Sequence, residues 1–476
     1  MGLKVALTTP HYHKEGLVGT TRSMEAVINI IPPLGLAYLA AVLEEAGIDV
    51  RITDGSRGMS LAEVVGELKE YEPDVVGISC TTPTFADAID LAEAVRRALP
   101  GAITVLGGAH VTAIPQKALL EEVFDVGVIG EGEMTLLELV REVEDRGRLD
   151  KVGLDKIAGL AFRRDGEVVL TPPRQRIQDL DSLPHPARHL LPPLSAYRPT
   201  PASYRELPLA VMMTSRGCPF KCTFCDRGVF GNYTRGHSPE RVLDEIEELI
   251  YRYGAREIRF FDDTFTFSRK RVARVCEMII ERNLRFPWTC LTRVTAVDKD
   301  LLRLMKEAGC WQVLYGLESG DPRMLKILRK DATVEQNEQA VRWALEVGLG
   351  VRGDFIIGTP GETMESLENT LAFTKRIGLD YAHFNKFVPY PGTDLFQLLV
   401  AEGYQFDSKN LPPIVDHAAV LYEPDGLSRE QIKVFLDRAH REFYLRPSHI
   451  VRRLLRTGSW HEFTGQVKGA MAIIGL

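Results

Sequence analysis

Over the first 150 residues, short β-branched and apolar runs alternate with stretches whose apolar residues recur every three or four positions, the pattern of a parallel sheet wrapped by helices. Strands are expected at 4–9 (KVALTT), 50–55 (VRITDG), 75–80 (VVGISC), 104–108 (TVLGG) and 126–130 (VGVIG). Helical spacing fills 34–47, 85–99 and 133–145 between them, with no proline inside. Together they predict one doubly wound α/β domain over 1–150. In such a sheet ligands bind beyond the carboxyl ends of the strands. That rule singles out the loops carrying His11, His13, Ser79, Thr81, Thr82, Gly107, Gly108, His110, Gly130 and Glu131.

Residues 151–205 change character. IAGLAFRRDGEVVLT is two alternating runs joined by Asp165-Gly166, a hairpin signal, and the proline-rich stretch after it reads as a connector. A second βα series then runs over 206–400, with strands at 208–215, 257–263, 287–293, 312–319, 350–358 and 381–390, and helices such as 238–254 and 363–378 between them. Six such units predict a partial (β/α)6 barrel whose reacting groups stand at the strand C-termini. Residues 401–476 form a helical, more basic extension. Its segment IVRRLLR (450–456) is short, basic and amphipathic, which suits either a lipid surface or a solvated helix face.

Composition narrows the classes. A chain with 45% hydrophobic and 26% charged residues folds rather than staying disordered. A net charge of -7 offers no positive field for a nucleic-acid backbone, so no nucleic-acid partner is expected. No segment approaches the ~20 apolar residues of a membrane span, and a cytoplasmic chain without an integral membrane segment is expected. Seven cysteines are an odd number, and three of them crowd between 218 and 225, which favours a reduced metal cluster over a disulfide framework.

RGCPFKCTFCDRG sets Cys218, Cys222 and Cys225 at the spacing C-x3-C-x2-C directly after the first barrel strand. Three thiolates so placed can hold three irons of a [4Fe-4S] cluster and leave the fourth iron open. A structural zinc needs a fourth ligand, and the next candidate, His237, lies well downstream of Cys225 without a paired motif around it. Cys276, Cys290 and Cys310 sit in apolar contexts and read as core thiols, and Cys80 as a buried one.

This region resembles the radical S-adenosylmethionine (radical SAM) superfamily, whose signature is this cysteine spacing with an aromatic residue before the third cysteine, here Phe224. The resemblance implies that the open iron chelates SAM and that an electron from the cluster cleaves it to methionine and a 5′-deoxyadenosyl radical. It also implies SAM contacts at the barrel strand ends: Asp262 and Asp263 in FFDDTF, Arg293, and Glu318 and Ser319 in GLESG. Helix capping for the aspartates and simple ion pairing for Glu318 are the structural alternatives.

PPLGLAYLAAVLEEAG (32–47), PDVVGIS (73–79), GGAHVT (107–112) and GEGEMTLLEL (130–139) look like the Rossmann-like cobalamin-binding domain that precedes the barrel in one large subfamily. There the small residues at 107–108 would let a nucleotide tail lie on the sheet while Ser79, Thr81 and Thr82 bond its base. The lower cobalt ligand of classical cobalamin proteins comes from D-x-H-x-x-G. HYHKEG (11–16) matches it at His13 and Gly16 but has His11 where the aspartate belongs, so an ordinary loop histidine is the alternative.

The resemblance therefore implies an enzyme using a [4Fe-4S] cluster, S-adenosylmethionine and cobalamin, of the class B radical SAM methyltransferase or anaerobic oxidative cyclase-like branch. Its expected reaction is methylation of an unactivated carbon or a phosphorus in a small molecule or lipid, with a flavodoxin- or ferredoxin-type reductase as electron donor. Radical oxidation, cyclisation or rearrangement is the rival, supported by FYLRP (443–447), which resembles a segment of the oxidative cyclase of bacteriochlorophyll synthesis. A cobalamin-binding sensor or carrier is the rival from another class. On the sixth strand His383, Asn385, Lys386 and Tyr390 are the candidate substrate contacts, although period-two alternation alone also explains them.

Overall fold

Strands buried on both faces read as near-unbroken apolar runs, as Val75–Ser79 and Val126–Val128 do because helices cover the sheet on both sides, whereas the edge strand Asp49–Asp54 keeps Asp49 and Arg51 exposed. In the computed structural model, which describes residues 2–11, 29–147, 149, 151–200, 204–409, 411, 420–456, 463–464 and 467, β1 (Lys4–Thr9), β2 (Asp49–Asp54), β3 (Val75–Ser79), β4 (Ile103–Gly107) and β5 (Val126–Val128) are parallel in the order 2-1-3-4-5. Strand order reverses between β1 and β3, the switch point where such sheets bind ligands. Helices α1 (Leu34–Glu45) and α4 (Glu133–Arg146) pack on one face, and α2 (Leu61–Tyr71) and α3 (Phe85–Ala98) on the other.

Helix α2 fills a stretch where the apolar pattern named none. Its buried side chains are only Val64, Leu68 and Tyr71, too few for a clear stripe. A capping box between Ser60 and Glu63 fixes its start.

The expected hairpin is present as β6 (Leu160–Arg164) and β7 (Glu167–Leu170), and β6 pairs antiparallel with β5, so the connector begins as part of a seven-stranded sheet. Asp165 and Gly166 both take positive φ, 53° and 86°, as a tight two-residue hairpin turn requires.

The second sheet is parallel throughout: β8 (Leu209–Met212), β9 (Glu257–Phe260), β10 (Trp288–Thr292), β11 (Cys310–Glu318), β12 (Gly350–Ile357) and β13 (Tyr381–Lys386) follow one another in chain order. Among the described residues β8 and β13 do not pair, so the barrel is open. Ile258, Phe260, Trp288, Cys290, Val313, Tyr315, Val351, Phe355 and Phe384 face the surrounding helices and form the main core. Cys276 and Cys310 lie in the same core, and Cys80 is buried in the first domain.

Beyond the barrel, α5 (Arg429–Tyr444) packs on β13, and α6 (Pro447–Arg456) follows. Arg453 turns inward to Asp380 (3.5 Å) while Val451, Leu454 and Leu455 are exposed, so the outward side of this helix is apolar rather than the polar face of the solvated reading. Among the described residues no helix is long and apolar enough to cross a membrane.

Candidate active site

The cysteine loop is tied at its neck. Ser215–Arg216 pairs antiparallel with Arg235–Gly236, and between the two strands Gly217 has φ 89° with no room for a Cβ, which would stand 2.2 Å from the Tyr233 carbonyl oxygen. The two aspartates at the end of β9 hold this neck. Asp262 is fully buried. It accepts from Thr214 N (3.1 Å), Thr214 Oγ1 (2.7 Å) and Ser215 Oγ (2.5 Å), so both of its oxygens serve the loop. Asp263 accepts from Gly217 N at 3.0 Å through Oδ2 only, and its side chain is exposed.

Two cations sit beside the thiols. Arg293, at the end of β10, donates to Cys222 Sγ at 3.1 Å, and its guanidinium lies 3.6 Å from the ring centre of Phe220. Lys330 bonds Glu318 Oε1 at 2.7 Å and stands 5.9 Å over the ring of Phe224. The aromatic residues on either side of Cys222 are thus each capped by a cation. Cys222 is lowered to about 5, first by a hydrogen bond from Cys225 and then by the charges of Lys330 and Arg293, against its burial. Cys225 is raised, first by its interaction with Cys222 and then by burial. Cys218 Sγ lies 3.8 Å from Thr264 Oγ1.

These residues fit an iron–sulfur cluster better than a single ion. The three sulfurs do not gather within 4.8 Å of one another, as the ligands of one metal ion would. His237, the zinc alternative, bonds Asp181 at 2.9 Å instead.

At the end of β11, Glu318 adopts φ 62° beside a register shift, and the bare Gly316 leaves room for the pair, since a Cβ there would push on Glu318 Oε1 at 2.4 Å and Lys330 Nζ at 2.9 Å. Burial raises the Glu318 pKa against the pull of Lys330. Ser319 is committed elsewhere: its hydroxyl meets Thr370 Oγ1 at 2.9 Å and accepts from Asp321 N at 3.1 Å. Lys330 and Phe220 were missed by sequence reasoning. Lys330 belongs to a loop beyond a short helix, outside the strand ends that were searched, whereas Phe220 was visible inside the cysteine motif.

A cavity of about 220 Å³ lies between the two α/β units. Ser79, Gly107, Gly108, Gly130 and Glu131 line it from the first, and Met213, Arg216, Val229 and Phe230 from the neck of the cysteine loop. Glycines at the strand ends under an apolar rim form a cradle that fits the buried part of a cobalamin, its nucleotide tail.

Three of the residues expected there lie elsewhere. Thr81 is exposed and bonds Thr84. Thr82 and His110 are buried and bonded to each other (3.2 Å), with the His110 ring 4.0 Å from that of Phe85. The physical reason is that His110 follows Gly108 into a short helix, Ala109–Ala113, that turns its side chain into the core. Burial lowers the His110 pKa to about 4. His13 and Gly16 lie outside the described residues.

Glu131 reaches the cavity, but its carboxylate joins the two units. Arg216 bonds Glu131 at 2.9 Å and Glu133 at 2.7 Å, and Arg235 bonds Glu131 at 2.8 Å, with all four side chains at most 6% exposed. Arg216 also lies 5.0 Å over Tyr38 and 5.4 Å over Phe230.

Of the substrate candidates, His383 and Asn385 share the inward face of β13 with Tyr381. Nδ1 of His383 is 3.6 Å from Asp354, which Arg352 bonds at 2.9 Å. Lys386 ends the strand and Tyr390 lies beyond it.

Comparison with known proteins agrees with this geometry. The sequence matches the Radical SAM superfamily over residues 212–374 and the B12 binding domain over 24–140. It is 38% identical to an "uncharacterized methyltransferase" of Pyrococcus horikoshii, over 88% of this chain and 89% of that protein. It is 32% identical to the anaerobic magnesium-protoporphyrin IX monomethyl ester cyclase of Rubrivivax gelatinosus, over 93% of this chain and 78% of that one. In fold it is similar to the cobalamin-dependent S-adenosylmethionine radical enzyme OxsB solved with aqua-cobalamin and S-adenosylmethionine, with a TM-score of 0.73 and 17% identity over 100% of this chain and 72% of that one.

Proposed function

The chain belongs to the radical SAM enzymes that carry a B12-binding domain, and on that premise we propose that it methylates an unactivated carbon, or a phosphorus, of a small molecule or lipid. When bound, the cluster and SAM supply hydrogen-atom abstraction and cobalamin supplies methyl transfer.

The observation that carries the reading is the position of the cavity. It opens onto the neck of the cysteine loop, and Arg216, two residues before Cys218, lines it. A substrate at the barrel mouth would therefore stand between the two cofactor sites.

The chain's own residues do the holding. Cys218, Cys222 and Cys225 bind iron, while Arg293 and Lys330 offset the thiolate charge. Asp262 and Asp263 fix the neck of the loop, Asp263 with one oxygen left for a ligand. The strand-end glycines of the first domain seat the cobalamin tail. Enclosure between two rigid sheets orients the reactants and keeps water out. A flavodoxin- or ferredoxin-type reductase is the electron donor this reading calls for.

Oxidative cyclisation is the second reading, favoured by the likeness to the cyclase. The FYLRP segment does not strengthen it, since Phe443 is buried in the barrel core and the Tyr444 hydroxyl bonds the Ala382 carbonyl; packing accounts for both side chains. The test is the product ratio from SAM in the reduced, reconstituted enzyme with candidate substrates. Methyl transfer gives S-adenosylhomocysteine and 5′-deoxyadenosine together. With a substrate that is consumed, 5′-deoxyadenosine alone would overturn methyl transfer in favour of the second reading.

A further inference from the structure

Alternate residues of the barrel strands turn away from the helices and into the lumen. At mid-depth this brings Arg259 of β9 into the electrostatic range of Arg352 and Asp354 of β12 and so of His383 on β13, although β10 and β11 separate β9 from β12 in the sheet.

Arg352 is paired, its Nε and Nη2 donating to Asp354 at 2.9 and 3.2 Å. Arg259 is not. It is 5% exposed, its Nε is buried with no hydrogen bond, no described carboxylate lies within ion-pairing distance, and its guanidinium rests 4.8 Å over the ring of Phe261. Glu257, two residues earlier on the same strand face, is engaged by Arg205 N, Glu206 N and Trp311 Nε1.

Two guanidinium groups thus stand near one another inside the barrel, Arg352 bonded to Asp354 and Arg259 reached only by the more distant fields of Asp354 and Glu257, beside a histidine whose pKa is lowered by desolvation and by Arg352. Burial and Arg352 lower Arg259 to about 10, so it stays charged at neutral pH. Removing a charge from water costs several kcal/mol, and around Arg259 only the longer-range fields of Asp354 and Glu257 and the ring of Phe261 oppose that cost, with no hydrogen-bonded carboxylate among the described residues. In the same register row, Thr289 Oγ1 and both polar atoms of Gln312 are buried without partners. The lumen is nonetheless reachable, since the side chains of Asp354 and His383 are 25% and 30% exposed.

We propose that Arg259, with Arg352 beside it, is the receptor for an anionic group of the substrate, a carboxylate or a phosphoryl or phosphonyl group. The assignment rests on the reading of the barrel mouth as the reaction site. It sets polarity in the substrate: the anionic end lies deep in the barrel and the carbon or phosphorus to be modified lies toward the cysteine loop.

The test uses the anaerobically reconstituted holoenzyme, titrated with inorganic phosphate or with acetate at fixed ionic strength against chloride, and reads the thermal midpoint, because a ligand that binds only the folded state raises it. The wild type is expected to respond to at least one anion. Preference for phosphate marks a phosphoryl-type group and preference for acetate a carboxylate. Arg259→Met, matched to the wild type in iron and cobalamin content, should need at least tenfold more anion for the same shift. Arg259→Lys, which keeps the charge but not the planar fork, should fall between; if the Met variant does not fold, an unchanged half-saturation in the Lys variant overturns the proposal. It is equally overturned by a silent wild type, by an equal response in Arg259→Met, or by a response that saturating SAM abolishes, which would make this SAM's own carboxylate site. Failure of the wild type to form 5′-deoxyadenosine would sink the proposed reaction and leave the anion response standing.

Discussion

Arg216 bonds Glu133 at 2.7 Å across the boundary between the two α/β units, two residues before Cys218. The same guanidinium bonds Glu131, whose other partner is Arg235 on the far side of the loop neck. One buried network therefore ties the glycine-lined cavity edge of the first unit to the neck of the cysteine loop.

Glu131→Ala tests that link. It leaves Arg235 without its carboxylate and Arg216 with one of two, and breaking a buried pair costs about 3–5 kcal/mol. The expected result is a lower urea midpoint than the wild type, with the two α/β units unfolding further apart along the denaturant axis. A wild-type denaturation curve would show that the network does not join them.

Lys330→Met addresses the charge balance at the cluster. The ammonium sits beside the thiolates without ligating iron, so the variant should keep its iron and sulfide while its cluster becomes harder to reduce. The shift should be tens of millivolts negative, about 59 mV for each 1.4 kcal/mol of attraction lost. Redox titration followed by EPR measures it. An unchanged potential with full iron content would remove Lys330 from this role.

The cysteine triad and both sheets were legible because each leaves a local signal: fixed spacing for the one, runs of β-branched residues for the other. What was not legible depends on where a side chain turns after its strand ends. Thr82 and His110 stand at the right sequence positions for a cobalamin site, yet the short helix after Gly108 carries His110 into the core. Asp262 and Ser319 end their strands as expected, but their oxygens meet Thr214, Ser215 and Thr370, partners that are remote in sequence. Lys330 and Arg259 fall outside strand-end reasoning altogether, the first in a loop and the second mid-strand in the lumen.

Gly107 is the informative position for cobalamin. At Gly108 a side chain meets Cys80 O at 2.4 Å on a backbone with φ 98°, so any substitution there is strained whether or not a ligand binds. At Gly107 the nearest atom to a Cβ is Ile78 O at 4.0 Å, and the residue lines the cavity. Gly107→Leu should therefore fold and bind cobalamin at least tenfold more weakly, as equilibrium dialysis would show. Parental affinity in the folded variant would place the tail elsewhere.

The last prediction follows from the buried His110. Its pKa is about 4 in the folded protein against about 6.5 for an exposed imidazole, so the unfolded chain binds the extra proton first as pH falls. Stability is then whole above pH 6.5 and is lost progressively between about 6.5 and 4, by about 3 kcal/mol at roughly 1.4 kcal/mol per pH unit. His383 and His449 are lowered as well and act in the same direction, so the comparison must be between variants. His110→Asn keeps a group able to bond Thr82 but cannot take up a proton in this range. Urea unfolding at pH 7 and pH 5 should show a smaller loss of stability in His110→Asn than in the wild type. Equal losses would mean that His110 is protonated in place, with Thr82 as its acceptor.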